Sequence, residues 1–171
     1  MERIYKAYNG PGPTSAQQLA VTSGTAIKTM MQLATPATST LTIVAWGIIH
    51  DGHASCTSAS AELISHATGG ATVTAYAAGD ITLLNQPNDL ASQTVISSTT
   101  NGGYTSTNEQ TLTAVDVLDS CYLVPTQADR YVMQWPLGRE PMVAISRWVR
   151  VRVTMAGNAT NVRCWIEWGE G

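Results

Sequence analysis

Charge is scarce in this chain: 21 of 171 residues are Asp, Glu, Lys or Arg, or 12%, against an ordinary share of about 25%. Two of them are lysines, Lys6 and Lys28, and the net charge is −3. That balance argues against a nucleic-acid partner held by counterion release, which needs a basic stripe. Long apolar runs are missing as well. The longest candidate, Leu41 to Ile49, is interrupted by Thr42 and Gly47, so no membrane-spanning helix is expected. The opening residues MERIYKAYNGPGP have no apolar core segment, and a conventional secretory signal is not expected from them. Cys56, Cys121 and Cys164 are an odd number with no C-x-x-C spacing. They read as reduced thiols in a chain folded in a cytosol.

Signatures of chemistry are equally thin. There is no G-x-S-x-G elbow and no glycine-rich phosphate loop, which removes the commonest hydrolase and nucleotide-binding motifs. Asp116 and Asp119 flank Val117 and Leu118 in what reads as a turn. His50, Asp51, Gly52 and His53, with His66 further on, form the cluster closest to metal chemistry. A loop H-x-x-H lacks the helical spacing that sets two imidazoles on one side. The simpler reading is a turn at Asp51–Gly52 closing a strand. No catalytic residue, metal site or cofactor is expected.

What the chain does have is Thr and Ser, 23 and 13 of them. Threonine is favoured on strands and disfavoured in helices. Helical periodicity is nearly absent; the one tempting segment, Ala16 to Met31, is broken by Thr22, Ser23, Gly24 and Thr25. Strands are predicted at Ala26–Ala34, Thr40–His50, Ala61–Thr68, Thr72–Tyr76, Asp80–Asn85, Thr111–Val115, Ser120–Val124 and Arg130–Trp135. Thr40–His50 is apolar on both faces and so reads as central. A further strand, Gln93–Ser97, is expected inside a polar connection from Gln86 to Asn108. The clearest pattern comes last. Val149, Val151 and Val153 alternate with Trp148, Arg150, Arg152 and Thr154; after the turn MAGNA, Val162, Cys164, Ile166 and Trp168 alternate with Arg163, Trp165 and Glu167. These two segments are expected to pair as a hairpin. The predicted fold is all-β: a two-layer antiparallel β-sandwich of jelly-roll type. Residues 14–171 form its single domain, and residues 1–13 an extended N-terminal arm hinged at Gly10–Pro13.

The charges that exist are segregated. Residues 61–120 hold six acids and no Lys or Arg, whereas residues 121–171 hold six arginines and four acids. Such a chain reads either as a subunit partly covered by neighbours or as a β-surface kept soluble by hydroxyls. Tryptophan and arginine are the residues most enriched where interfaces are strongest. The candidate interface is therefore Trp135, Arg139, Arg147, Trp148, Arg150, Arg152 and Trp165, joined by Arg3, Ile4, Tyr5 and Tyr8 of the arm. The alternative is that these tryptophans lie under a loop with arginine stems over them.

Three stretches carry a family resemblance: Tyr131–Pro141 (YVMQWPLGREP), the Arg147–Thr154 strand with the terminal VRCWIEW, and, upstream, Leu41–Gly52 with Ala61–Ser65. With these the chain resembles small structural proteins encoded among the virion genes of tailed actinobacterial phages. The resemblance implies a jelly-roll subunit made in the host cytoplasm that decorates the outside of the capsid. Its partner would be the major capsid protein, its state a symmetric homo-oligomer such as a trimer, and it would have no active site. On that picture the arm and the Arg147–Arg152 strand meet the shell or a sister subunit, with the acid-rich middle facing solvent. Two competitors stand beside it: a tail-associated or receptor- and glycan-binding virion protein, and a carbohydrate-active jelly-roll enzyme, which would need a cleft of converging carboxylates.

Overall fold

The computed structural model describes residues 2–13, 15, 17–18, 20–85 and 90–171. Met1 at the tip of the expected arm, and residues 86–89 at the start of the expected polar connection, lie outside these. Among the described residues thirteen strands follow one another. They are β1 (Arg3–Tyr8), β2 (Val21–Thr22), β3 (Lys28–Ala34), β4 (Leu41–His50), β5 (Ser58–His66), β6 (Thr72–Ala75) and β7 (Ile81–Leu83) in the first half. The second half supplies β8 (Gly103–Asn108), β9 (Asp116–Leu123), β10 (Asp129–Gln134), β11 (Met142–Val143), β12 (Trp148–Ala156) and β13 (Asn161–Glu170). A single 3₁₀ turn, Ala78–Asp80, precedes β7.

Two antiparallel sheets pack as a sandwich, as the strand-rich pattern predicts. One runs β10-β4-β13-β1-β7, with β11 paired to the far end of β4 and β2 to the start of β13. The other runs β6-β8-β3-β12-β5-β9. The order shows how the chain is wound. β1 lies in one sheet and β3 in the other, and the links from β4 to β5, β9 to β10 and β12 to β13 each cross between the sheets. β4 is flanked on both sides, by β10 and β13, as its two apolar faces require.

The hairpin expected from the last two strands is not formed. β12 pairs with β3 and β5, and β13 with β1 and β4. Both are central strands, one per sheet. Val149, Val151, Val153 and Met155 of β12, and Val162, Cys164, Ile166 and Trp168 of β13, are all fully buried in one hydrophobic core. Each such apolar side chain contributes about 1.5–3 kcal/mol on burial. Alternation set the face correctly, but a strand with an apolar face is satisfied as well by facing another strand across the core as by lying beside it. Gly157 turns the chain between sheets at φ +92°, and a Cβ there would meet Ser55 O at 2.6 Å.

Other elements depart from the reading of the sequence for similar reasons. Residues 1–13 are not an arm: Arg3–Tyr8 is an internal strand, held between β13 and β7. Gln93–Ser97 and Thr111–Val115 form no strand, while Gly103–Asn108 does. β8 is almost wholly polar, and its strand exists because β3 and β6 flank it. Asp116–Asp119 is the first half of β9 rather than a turn. Asp119 belongs there because its carboxylate closes one end of the core, accepting Trp46 Nε1–H and Tyr131 O–H, both at 2.9 Å. Burial and that carboxylate push the Tyr131 phenol up to about 12.

A polar layer lies over the outer face of the six-stranded sheet. Arg150, fully buried, reaches Glu109 at 3.3 Å and Gly69 O at 3.1 Å. Glu109 also accepts from Thr29 N–H, Thr29 Oγ1 and Ser106 Oγ. Burial draws the Arg150 guanidinium down to about 10, opposed by Glu109, so it stays charged at neutral pH. Removing one partner of such a pair strands a buried charge. Glu109→Ala is expected to cost about 3–5 kcal/mol, whereas Glu62→Ala, which breaks the more exposed Arg152–Glu62 pair, should cost at most about 1 kcal/mol. Denaturant unfolding of both variants tests the ranking, and equal losses would refute it.

Candidate interaction surfaces

The arginines singled out in the C-terminal third are consumed inside the chain. Arg147 Nη2 lies 2.7 Å from Asp116 and donates to Ala114 O, while its Nε donates to Ser65 Oγ. Arg150 pairs with Glu109, and Arg152 with Glu62 at 2.5 Å. All three acids come from the 61–120 stretch. The basic end and the acidic middle therefore neutralise one another, Arg150 and Arg152 on the outer face of the six-stranded sheet and Arg147 at its end beside Ser65. The acids expected to face solvent, Glu62, Glu109 and Asp116, are instead paired with arginines of the same chain. Arg139 alone of the four is exposed, in the turn after β10.

The tryptophans singled out with them are each half-buried by their own chain. Trp148 is half-buried; its Nε1–H donates to Thr100 O at 3.0 Å and its ring stacks on His66, centroids 5.8 Å apart. Trp135 is half-buried against the core. Trp165 is half-buried on the outer face of the seven-stranded sheet, where its ring lies over Gly47. A Cβ at Gly47 would fall 2.3–2.8 Å from three of its ring atoms. Of the expected arm residues, Tyr5 is a core residue, 1% exposed, stacked on Trp168 with its hydroxyl donating to Leu90 O and Ala91 O. Ile4 and Arg3 are half-buried within β1, and Ile4 N–H donates to Asn85 Oδ1. Tyr8 is half-buried beside Trp165, with centroids 6.3 Å apart.

The histidine loop has a structural role. His50 ends β4 buried, and its Nδ1 accepts Gly52 N–H at 3.0 Å; Gly52, at φ +73°, makes the turn. His53 is exposed and accepts Ser55 N–H. Among the described residues no group of three or more metal-ligating side chains comes together. Cys121 and Cys164 are buried, as their strand positions imply, and burial raises both thiols, Cys121 to about 11. Cys56 is buried too, with Sγ 3.3 Å from Ser58 O.

A surface not anticipated from the sequence lies elsewhere. Of the twelve large hydrophobic side chains exposed among the described residues, eight fall within residues 115–145. Tyr122 is 92% exposed, Leu137 97%, Met142 69% and Val117 61%, with Val115, Val124, Val132 and Ile145 besides. This segment builds β9 and β10, the end strands of the two sheets, which adjoin at one margin of the sandwich. There Asp129 Oδ2 accepts Val124 N–H at 2.8 Å. By register Tyr122 and Val117 stand on the outer face of the six-stranded sheet and Val132 on that of the seven-stranded one, so the exposed apolar side chains flank this margin on both sides. End strands that carry such side chains are prone to association. The sequence signal was present, in apolar residues at the solvent-facing positions of Arg130–Trp135 and in the WPLGREP turn. It could be read only once the core-facing set was known.

No protein-family model and no curated protein matches the chain. Among solved structures it is similar to a chain in the structure of infectious bursal disease virus, Gx strain, at 11% identity and a TM-score of 0.21. The match covers 99% of this chain and 41% of that one. A likeness of that size carries no argument about fold or role.

His66 sits under this architecture, fully buried against Trp148. Burial, helped by the Arg150 charge, lowers its pKa to about 4 from an ordinary 6.5. Between those values the unfolded chain binds a proton that the folded one refuses, so stability falls as pH drops through that window, by up to about 1.4 kcal/mol per pH unit. His66→Gln is expected to flatten the decline of melting temperature from pH 6.5 to 4 relative to the parent. Parallel declines in the two proteins would remove His66 as its source.

Proposed function

We propose that this protein is a non-enzymatic virion structural subunit, most specifically a capsid decoration protein that binds the outside of a phage head shell as a homo-oligomer. The observation that carries the reading is the gathering of exposed apolar side chains on residues 115–145, with Tyr122 of β9 and Leu137 in the turn after β10 more than nine-tenths exposed. A monomer gains nothing by holding such side chains in water, and an assembling subunit uses them. The sheet orders add support. Taken as β1-β13-β4-β10 facing β3-β12-β5-β9, eight strands carry the crossing pattern of a jelly roll, with β2, β6, β7, β8 and β11 as additions. That architecture is frequent in viral shells. The charges support the reading from the other side: Arg147, Arg150 and Arg152 are spent on internal ion pairs. The resemblance to actinobacterial phage virion proteins adds the location on the capsid surface, the trimeric state and the major capsid protein as partner.

The proposal is tested by mass and by binding. The full chain in solution is expected at about 55 kDa, three copies of 18.2 kDa, and it should co-sediment with heads stripped of it. The double variant Tyr122→Lys/Leu137→Asp should run at the monomer mass and lose at least tenfold in head binding. Its melting temperature should stay within about 3 °C of the parent, because exposed positions contribute little to folding. A monodisperse parent monomer with no affinity for heads would overturn the reading.

A further inference from the structure

The outer face of the seven-stranded sheet carries a second surface, built differently from the apolar margin. Two cross-strand rows lie side by side there. One runs Val132–Gly47–Trp165–Tyr8 across β10, β4, β13 and β1; the next runs Arg130–Ile49–Arg163 across β10, β4 and β13. Because position 47 has no side chain, the Trp165 ring lies across β4, where any Cβ would block it. Trp46, Trp148 and Trp168 each commit their indole N–H to an internal acceptor. Among the described residues, none takes the N–H of Trp165. Tyr8 stands beside it at an interplanar angle of 49°, so the two rings make an angled pair rather than a flat stack. Lys6 Nζ sits 5.1 and 5.3 Å from the two ring centroids, held by Glu167 at 2.8 Å.

The charge around these rings is unbalanced. Lys6 is answered by Glu167, but among the described residues neither Arg130 nor Arg163 meets a carboxylate. Arg163 donates to Gln18 Oε1 at 2.9 Å and lies 4.9 Å from the centroid of Tyr8. Arg130 is exposed, and Ile49 between the two is 42% exposed. This contrasts with the other sheet, where Arg147, Arg150 and Arg152 are each paired.

We propose that this face is a binding site for an acidic saccharide. An aromatic ring offers the apolar face of a pyranose a surface of matching size. The free indole N–H, Lys6 and Gln134 at the edge supply donors for hydroxyl groups. Arg163 and Arg130 supply planar donors suited to a carboxylate on the sugar. The site shares Val132 of β10 with the exposed apolar set but includes neither Tyr122 nor Leu137.

The test is a titration of the full chain, followed by the indole N–H resonances, with oligogalacturonate, with 3′-sialyllactose and with neutral maltohexaose. The Trp165 signal is expected to move saturably with at least one acidic sugar and not with maltohexaose. Arg163→Gln should weaken that binding about tenfold with the fold intact, and Trp165→Ala should abolish it. The Tyr122→Lys/Leu137→Asp variant should bind as the parent does, which separates failure here from failure of the assembly proposal. Three results would overturn the site: no response to either acidic sugar, an equal response to the neutral one, or a Trp165 signal that follows protein concentration alone, which would mark a contact between copies.

Discussion

The structure depends on one constraint more than any other: the apolar rows of β12 and β13, one from the centre of each sheet, are buried in the same core. Each strand is central in its own sheet, so the pair both joins the layers and seats the strands on either side. β3 and β5 take their places from β12, and β1 and β4 from β13. With the centres buried, the margins of the sandwich are left to the strands that arrive last in each sheet order. β9 and β10 finish together at one of them, and their outward apolar residues have nothing of this chain to cover them.

Charge follows from the same arrangement. Setting β12 beside β5 and close to β8 and β9 brings Arg147, Arg150 and Arg152 to Asp116, Glu109 and Glu62. A basic third and an acidic third of the sequence become three neutral pairs. The surface that results is low in net charge on one sheet and retains unanswered arginines on the other. The two faces therefore suit different partners: an apolar margin suits a protein surface, and an aromatic, cationic face suits an anionic ligand.

Much of this was legible in the residues. The alternation after Arg147 assigned Val149, Val151 and Val153 of β12 and the core residues of β13 to their proper side, though Met155, read as part of the turn, is a fourth core residue of β12. The two-faced apolarity of Thr40–His50 marked β4 as internal. Threonine content and broken helical periodicity gave the all-β class. The failures share a cause. β8 has no apolar alternation and forms where neighbours satisfy its backbone. The arm was assigned from the Gly10–Pro13 punctuation and the charges around Ile4, Tyr5 and Tyr8, yet Tyr5 and Ala7 point into the core. Trp148 and Trp165 were placed correctly on outward faces, but whether an outward face meets solvent is decided by loops distant in sequence, such as the one bringing Thr100 to Trp148.

The division between sequence and tertiary structure is therefore a matter of range. Which way a side chain points repeats every two residues, and so is written in any short run of the chain. Which strand lies alongside, which acid answers which arginine, and which edge is left open depend on segments from about 30 to more than 160 residues apart. Those pairings follow only when both sheets close over a shared core, because burial there outweighs any preference of one strand for its neighbour in sequence.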